Sequence, residues 1–101
     1  MRTRDMSYED YGITDEEVDY IKDFCFNSNS EQQEHIIKVA LSELSPYIAI
    51  KCLDSLINKK SYEDLCKEEY MFIGKGDFYG HRRKGMESIK RWMILNNMWD
   101  M

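Results

Sequence analysis

Apolar residues recur at intervals of three and four along most of this chain, and a cap or turn signal stands at nearly every break between them. Thr14-x-x-Glu17 is a capping box, in which each side chain satisfies the other residue's unpaired backbone N–H. Val18, Ile21, Phe24 and Cys25 follow as one helical stripe, and Asp15, Glu16 and Glu17 fill the first turn, where the helix dipole favours anions. The polar run Asn27–Ser30 ends that helix. Ser30 with Gln33 predicts a second cap, followed by a stripe of Ile36, Ile37, Ala40, Leu41 and Leu44. Ser45-Pro46 predicts a third start, because proline's missing N–H costs nothing at the first helical position. Its apolar positions are Tyr47, Ile50, Cys52, Leu53, Leu56 and Ile57, interrupted by Lys51, Asp54 and Ser55; so wide a face predicts a central helix packed on more than one side.

Ser61-x-x-Asp64 opens a fourth helix with Tyr62, Leu65 and Cys66 inward. Tyr70–Gly76 predicts a packed turn, since Met71-Phe72-Ile73 has no second alternating run to pair with as a strand; Gly74 and Gly76 would supply positive φ. The last helix is expected from about Asp77 to about Leu95. Phe78, the stem of Arg82, Gly85, Met86, Ile89, Trp92 and Met93 lie on its inner face, with Tyr79, Arg83, Lys84, Lys90 and Arg91 outward. Met98, Trp99 and Met101 are expected to return to the core, because an exposed tail of that kind promotes association. The expected fold is therefore all-α: one domain, a compact bundle of about five helices, with an irregular lead-in (1–12), acidic support helices (13–58) and a helix-turn-helix-like unit (61–95).

Composition sharpens this reading. One proline and five glycines in 101 residues are too few for the many turns of an all-β fold. A hydrophobic share of 43% beside 33% charged residues fits a globular chain rather than a disordered one. No apolar run reaches the ~20 residues of a membrane span, and MRTRDMSYEDYG lacks the apolar centre of a signal peptide. Cys25, Cys52 and Cys66 are odd in number, widely spaced and set in apolar-periodic stretches, so they are expected as buried free thiols in a reducing cytoplasm.

The net charge of −5 is unevenly spread. Residues 1–50 hold four basic and eleven acidic side chains, net −7; residues 51–101 hold ten and eight, net +2. Between Met71 and Arg91 six cations stand against two acids, net +4. An acidic whole argues against strong non-specific nucleic-acid binding, whereas a basic helix keeps site-specific binding open.

Little else carries chemistry. Gly74-Lys75-Gly76 with Gly80 misses the glycine fingerprint of phosphate loops by one residue and has no preceding strand. Cys66 and His81 could meet across the turn, but a core cysteine is the simpler reading, and His35 has no second ligand at helical spacing. The acid clusters are explained by helix starts and solvated faces. No catalytic residues, metal ligands or cofactor are expected, and no enzyme.

The basic last helix is the feature with functional content. Ser61-Tyr62-Glu63-Asp64-Leu65, followed by Asp77-Phe78-Tyr79-Gly80-His81-Arg82-Arg83-Lys84, resembles the helix-turn-helix of region four in bacterial sigma factors, with its Ser-Tyr-Glu-Glu-Ile-Ala opening and basic recognition helix. It is also similar to phage late-transcription activators that share this unit, proteins of phages and mobile elements of Gram-positive bacteria. The resemblance covers residues 46–93, with Tyr47–Leu56 as the support helix. It departs from the pattern in a turn, residues 70–76, about two residues longer, in Cys66 at a small-residue position, and in Glu68 and Glu69, which would repel phosphate. The resemblance implies a transcriptional regulator that binds double-stranded DNA through Lys75, Tyr79, His81, Arg82, Arg83 and Lys84, as a homodimer or in a larger complex, since one recognition helix reads few base pairs. A second class fits the acidic half: a small acidic helical inhibitor, similar in kind to CRISPR-inhibiting proteins. It would present Asp15, Glu16, Glu17 and Asp19 to a basic nucleic-acid-binding protein.

Overall fold

The cap signals place the helices. In the computed structural model, which describes residues 2–40 and 42–101, Thr14 caps α1 (Asp15–Phe26) through the predicted reciprocal box with Glu17. Ser45 caps α3 (Pro46–Asn58), and Ser61 with Asp64 caps α4 (Tyr62–Glu68). α2 (Ser30–His35) begins one residue earlier than expected. Asn29, not Ser30, is its cap, and Gln32 rather than Gln33 completes the box. The chain offers the same pattern in two registers, and the asparagine register leaves Gln33 to reach back to the Ser28 carbonyl at 3.1 Å. α2 runs on into a π-helical stretch, Ile36–Ala40. Leu41 and the side chain of Ala40, two of the stripe positions, lie outside the described residues.

α5 (Lys75–Leu95) is the longest helix and the spine of the bundle. Among the described residues the fold is all-α, with five α-helices and no strand. α1, α3, the π-helical stretch and the N-terminal lead-in all pack on α5. Its inner face is as predicted, with Phe78, Met86, Ile89 and Met93 fully buried. One apolar cluster gathers α1 (Val18, Ile21, Cys25), Ile36, α3 (Ala49, Leu56) and the C-terminal half of α5. Met98 and Trp99 fold back onto it, Trp99 edge-on to Tyr20 with ring centroids 4.9 Å apart, while Met101 stays exposed. A second cluster belongs to α3, α4 and the start of α5: Cys52, Leu65, Met71 and Phe78, flanked by Ile48, Tyr62, Ile73 and Tyr79.

Four sequence expectations are corrected. Ile50 is 56% exposed, and Ser55, assigned to the polar side of α3, is buried. The helix turns Ser55 toward α5, where its hydroxyl donates to the Lys60 carbonyl at 2.7 Å and accepts from Arg82. Cys66 is exposed whereas Cys25 and Cys52 are buried, because α4 is too short to bury more than the Leu65 side. Burial pushes both inner thiols up to about 12. Gly74 has φ −73° and caps α5, with Gly76 already helical; the left-handed residues are Gly12, Lys59 and Asn97. Substituting Asn29 by alanine should cost about 1 kcal/mol in urea unfolding and Ser30 by alanine almost nothing; the reverse order of costs would return the cap to Ser30.

Candidate nucleic-acid interface

The turn before α5, residues 69–74, is held by phenols. The Tyr47 hydroxyl accepts from the Phe72 N–H at 3.0 Å, and the Tyr62 hydroxyl donates to the Ile73 carbonyl. The Tyr62 N–H donates to the Tyr79 hydroxyl at 2.9 Å, and Lys51 pairs with Glu69. A turn longer than a sigma-type turn is therefore tied to α3, α4 and α5 together. Tyr70 and Phe72 point outward from it, edge to face at 4.8 Å and largely exposed.

Residues 2–13 form a strap across one side of α5. Two 3-10 turns, Thr3–Asp5 and Glu9–Tyr11, give it shape, and Thr3–Asp5 lies against α5 at Gly80. A Cβ at Gly80 would stand 2.6 Å from the Arg4 Cα, nearer than any side chain tolerates, so only glycine permits this approach. Arg83 fastens the strap: its Nε donates to the Met6 carbonyl at 2.7 Å and its Nη2 to the Arg4 carbonyl at 3.1 Å. The Tyr8 hydroxyl donates to the Met86 sulfur at 3.4 Å, and Lys90 closes the far end on the Gly12 carbonyl at 3.3 Å.

The six DNA-contact candidates are thus divided. Arg83 holds the strap. Tyr79 and Arg82 face the opposite side of α5, stacked with the guanidinium carbon 4.7 Å from the ring centroid, and Arg82 donates to the Ser55 hydroxyl at 3.1 Å. Lys75 pairs with Glu63 of α4, which raises the lysine and lowers the acid from their ordinary values. The Nδ1 of His81 is buried without a partner. Lys84 makes no ion pair among the described residues. The exposed strap residues Arg2 and Arg4, which the motif-based reading passed over, are brought to the same helix by the Gly80 approach.

The acidic candidates divide too. Asp15, Glu16 and Asp19 are exposed and outside every ion pair among the described residues. Glu17 is committed internally: it meets Lys90 at 2.8 Å and accepts the Thr14 N–H at 2.9 Å, and the Lys90 contact first, then the cap, hold its carboxyl below the usual 4.5. His35 is exposed and stacks on Trp92 with centroids 6.2 Å apart. Among the described residues no three His, Cys, Asp or Glu side chains converge closely enough to hold a metal ion, and no helix is long and apolar enough to cross a membrane.

Between α1, the end of α3 and α5 lies a cleft of about 610 Å³, walled by Lys22, Ser55, Leu56, Lys59, Tyr79 and Arg82, with Asp19 and Asp23 along the α1 side. Lys22, Lys59 and Ser55 carried no sequence signal, since nothing in their spacing shows that three helices bring them together.

Comparison with protein-family models, curated protein sequences and solved structures gives no match, so the likeness to sigma region four rests on the residues quoted for it.

Two measurements probe this geometry. Gly80→Ala should displace the strap, raising hydrogen exchange at the amides of Asp5 and Met6 and destabilising the protein by roughly 1–3 kcal/mol; unchanged exchange would mean that the strap does not rest on α5. A carboxyl held below its unfolded value contributes stability above that value and loses it as pH falls through the folded one. Unfolding free energy should therefore decline as the pH falls below the ordinary carboxylate range, and Glu17→Gln, which keeps a capping-box partner but removes the charge facing Lys90, should flatten part of that decline.

Proposed function

We propose that the chain is a DNA-binding transcriptional regulator, of the kind found in phages and mobile elements, that meets duplex DNA with the outer side of its α3–α5 unit. The observation that carries this reading is the private apolar cluster of α3, α4 and α5, which fixes the basic start of α5 against a supporting helix pair. Recognition helices need such rigid presentation to reach a groove. The contacts are reassigned within the reading: Lys84 on α5, with Arg2 and Arg4 on the strap, supplies phosphate contacts, while Arg83 is spent on the strap and Lys75, half a turn from Lys84 around the helix, on Glu63. Three cations give a modest, salt-sensitive affinity, consistent with a protein whose net charge is −5.

A second reading is favoured by Asp15, Glu16 and Asp19, exposed on α1 and unpaired among the described residues. On that reading the acidic face covers a basic channel on a nucleic-acid-binding partner protein.

Fluorescence anisotropy against random duplex DNA separates the two. The wild type should bind at low salt and weaken steeply as salt rises. Arg2→Glu/Lys84→Glu should lower affinity at least tenfold and make the salt slope shallower by about 2. No wild-type binding at low salt, or a double variant that binds unchanged, overturns duplex recognition and leaves the acidic-face reading, in which Asp15→Lys/Glu16→Lys should abolish inhibition of the partner.

A further inference from the structure

The cleft between α1, α3 and α5 has a charge pattern that the duplex reading does not use. Of the eight ion pairs among the described residues, the two that involve a residue of this cleft are those of Lys60, which lines it and is paired with Asp54 and Glu68. Lys22, Lys59 and Arg82 join none of them, and all three line this cleft, from three different elements. Arg82 spends one donor on Ser55, and its Nε has no partner. Burial first, and repulsion from Arg82 second, hold Lys22 below the ordinary lysine value, with Asp19 opposing. Lys59 lies over the Phe26 ring, its Nζ 4.1 Å from the centroid, and no carboxylate among the described residues stands within ion-pair distance of the three cations; a multiply charged oxyanion is the group that matches a guanidinium and two ammoniums at once.

Asp19 and Asp23 qualify what else the ligand must carry. They oppose a bare anion on the α1 side but accept hydrogen bonds from hydroxyl or amino groups. The volume of about 610 Å³ falls in the range of small-molecule sites and exceeds what an inorganic ion fills. We infer that this cleft binds a small organic phosphate ester, its phosphate against Lys22, Lys59 and Arg82 and its hydroxyl or amino donors against Asp19 and Asp23. Nucleotides and phosphosugars share this chemistry, and the test distinguishes them. The site is independent of duplex binding, because Arg2, Arg4 and Lys84 do not line it.

The test is calorimetric titration of the whole chain with AMP, ribose 5-phosphate, adenosine and inorganic phosphate, followed by 15N-resolved NMR shifts. AMP or ribose 5-phosphate should bind with a dissociation constant of roughly 1 mM or tighter and move the amides of Lys22, Lys59 and Arg82; preference between them names the source. Lys22→Gln, at a half-exposed position, should retain the wild-type melting temperature and weaken the ester at least tenfold. Arg82→Lys, which keeps a charge but loses the guanidinium fork, should weaken it to a lesser degree. Failure of both esters to bind, equal binding by Lys22→Gln, adenosine binding as well as AMP, or inorganic phosphate binding as well as either ester overturns the inference.

Discussion

The structure depends on the covering of one long helix. α5 spans 21 residues, about 31 Å at the helical rise per residue, nearly the 37 Å length of the molecule. Phe78, Met86, Ile89 and Met93 must leave water, and no single partner helix is long enough to bury them all. α1 and α3 cover part of the length, the π-helical stretch another part, and the strap a flank that would otherwise be open. The two apolar clusters are the two ends of this one task. Leu44, packed against both, sits where they meet.

A helix covered on several sides cannot keep its charges for solvent alone. Arg83 supplies two donors to strap carbonyls that would otherwise need water, and Arg82 does the same for a buried serine. A guanidinium suits both tasks, since it stays charged and offers several donors in a fixed plane. The same residues, read along the sequence, look like a phosphate-binding stripe. Charge density on a helix therefore reports function only after the internal obligations of each cation are known.

Local order was legible in the sequence where chemistry is local. The boxes at Thr14 and Ser61 and the Ser45-Pro46 start each depend on residues three or four apart, and they were read correctly. The shift from Ser30 to Asn29 is the same chemistry in an adjacent register, which spacing alone does not separate. Tertiary facts were less legible. Ser55 is polar, so periodicity placed it outside; its burial is explained by Arg82, 27 positions away. Ile50 and Cys66 are apolar or nearly so, yet no element arrives to cover them. The strap reads as irregular because its fixing contacts, from Arg83, Met86 and Lys90, come from the other end of the chain, and a glycine at position 80 inside the last helix has no evident purpose until Arg4 is seen against it. The cleft had no signature of its own: Arg82 stands out only as part of the basic stripe, Lys22 and Lys59 only as cations on or beside their helices, and their convergence exists only in three dimensions.

The distribution of the thiols has a consequence for covalent chemistry. Two sulfurs are sealed in separate apolar clusters with their protons held tightly, and the third stands alone on α4. The folded chain thus has no intramolecular disulfide within reach of an oxidant. An oxidising solution should cap Cys66 or join two molecules through it, and the product should stop at a dimer. A maleimide dye would likewise find one address, beside the phenol-held turn, and report on that corner of the protein without any engineered residue.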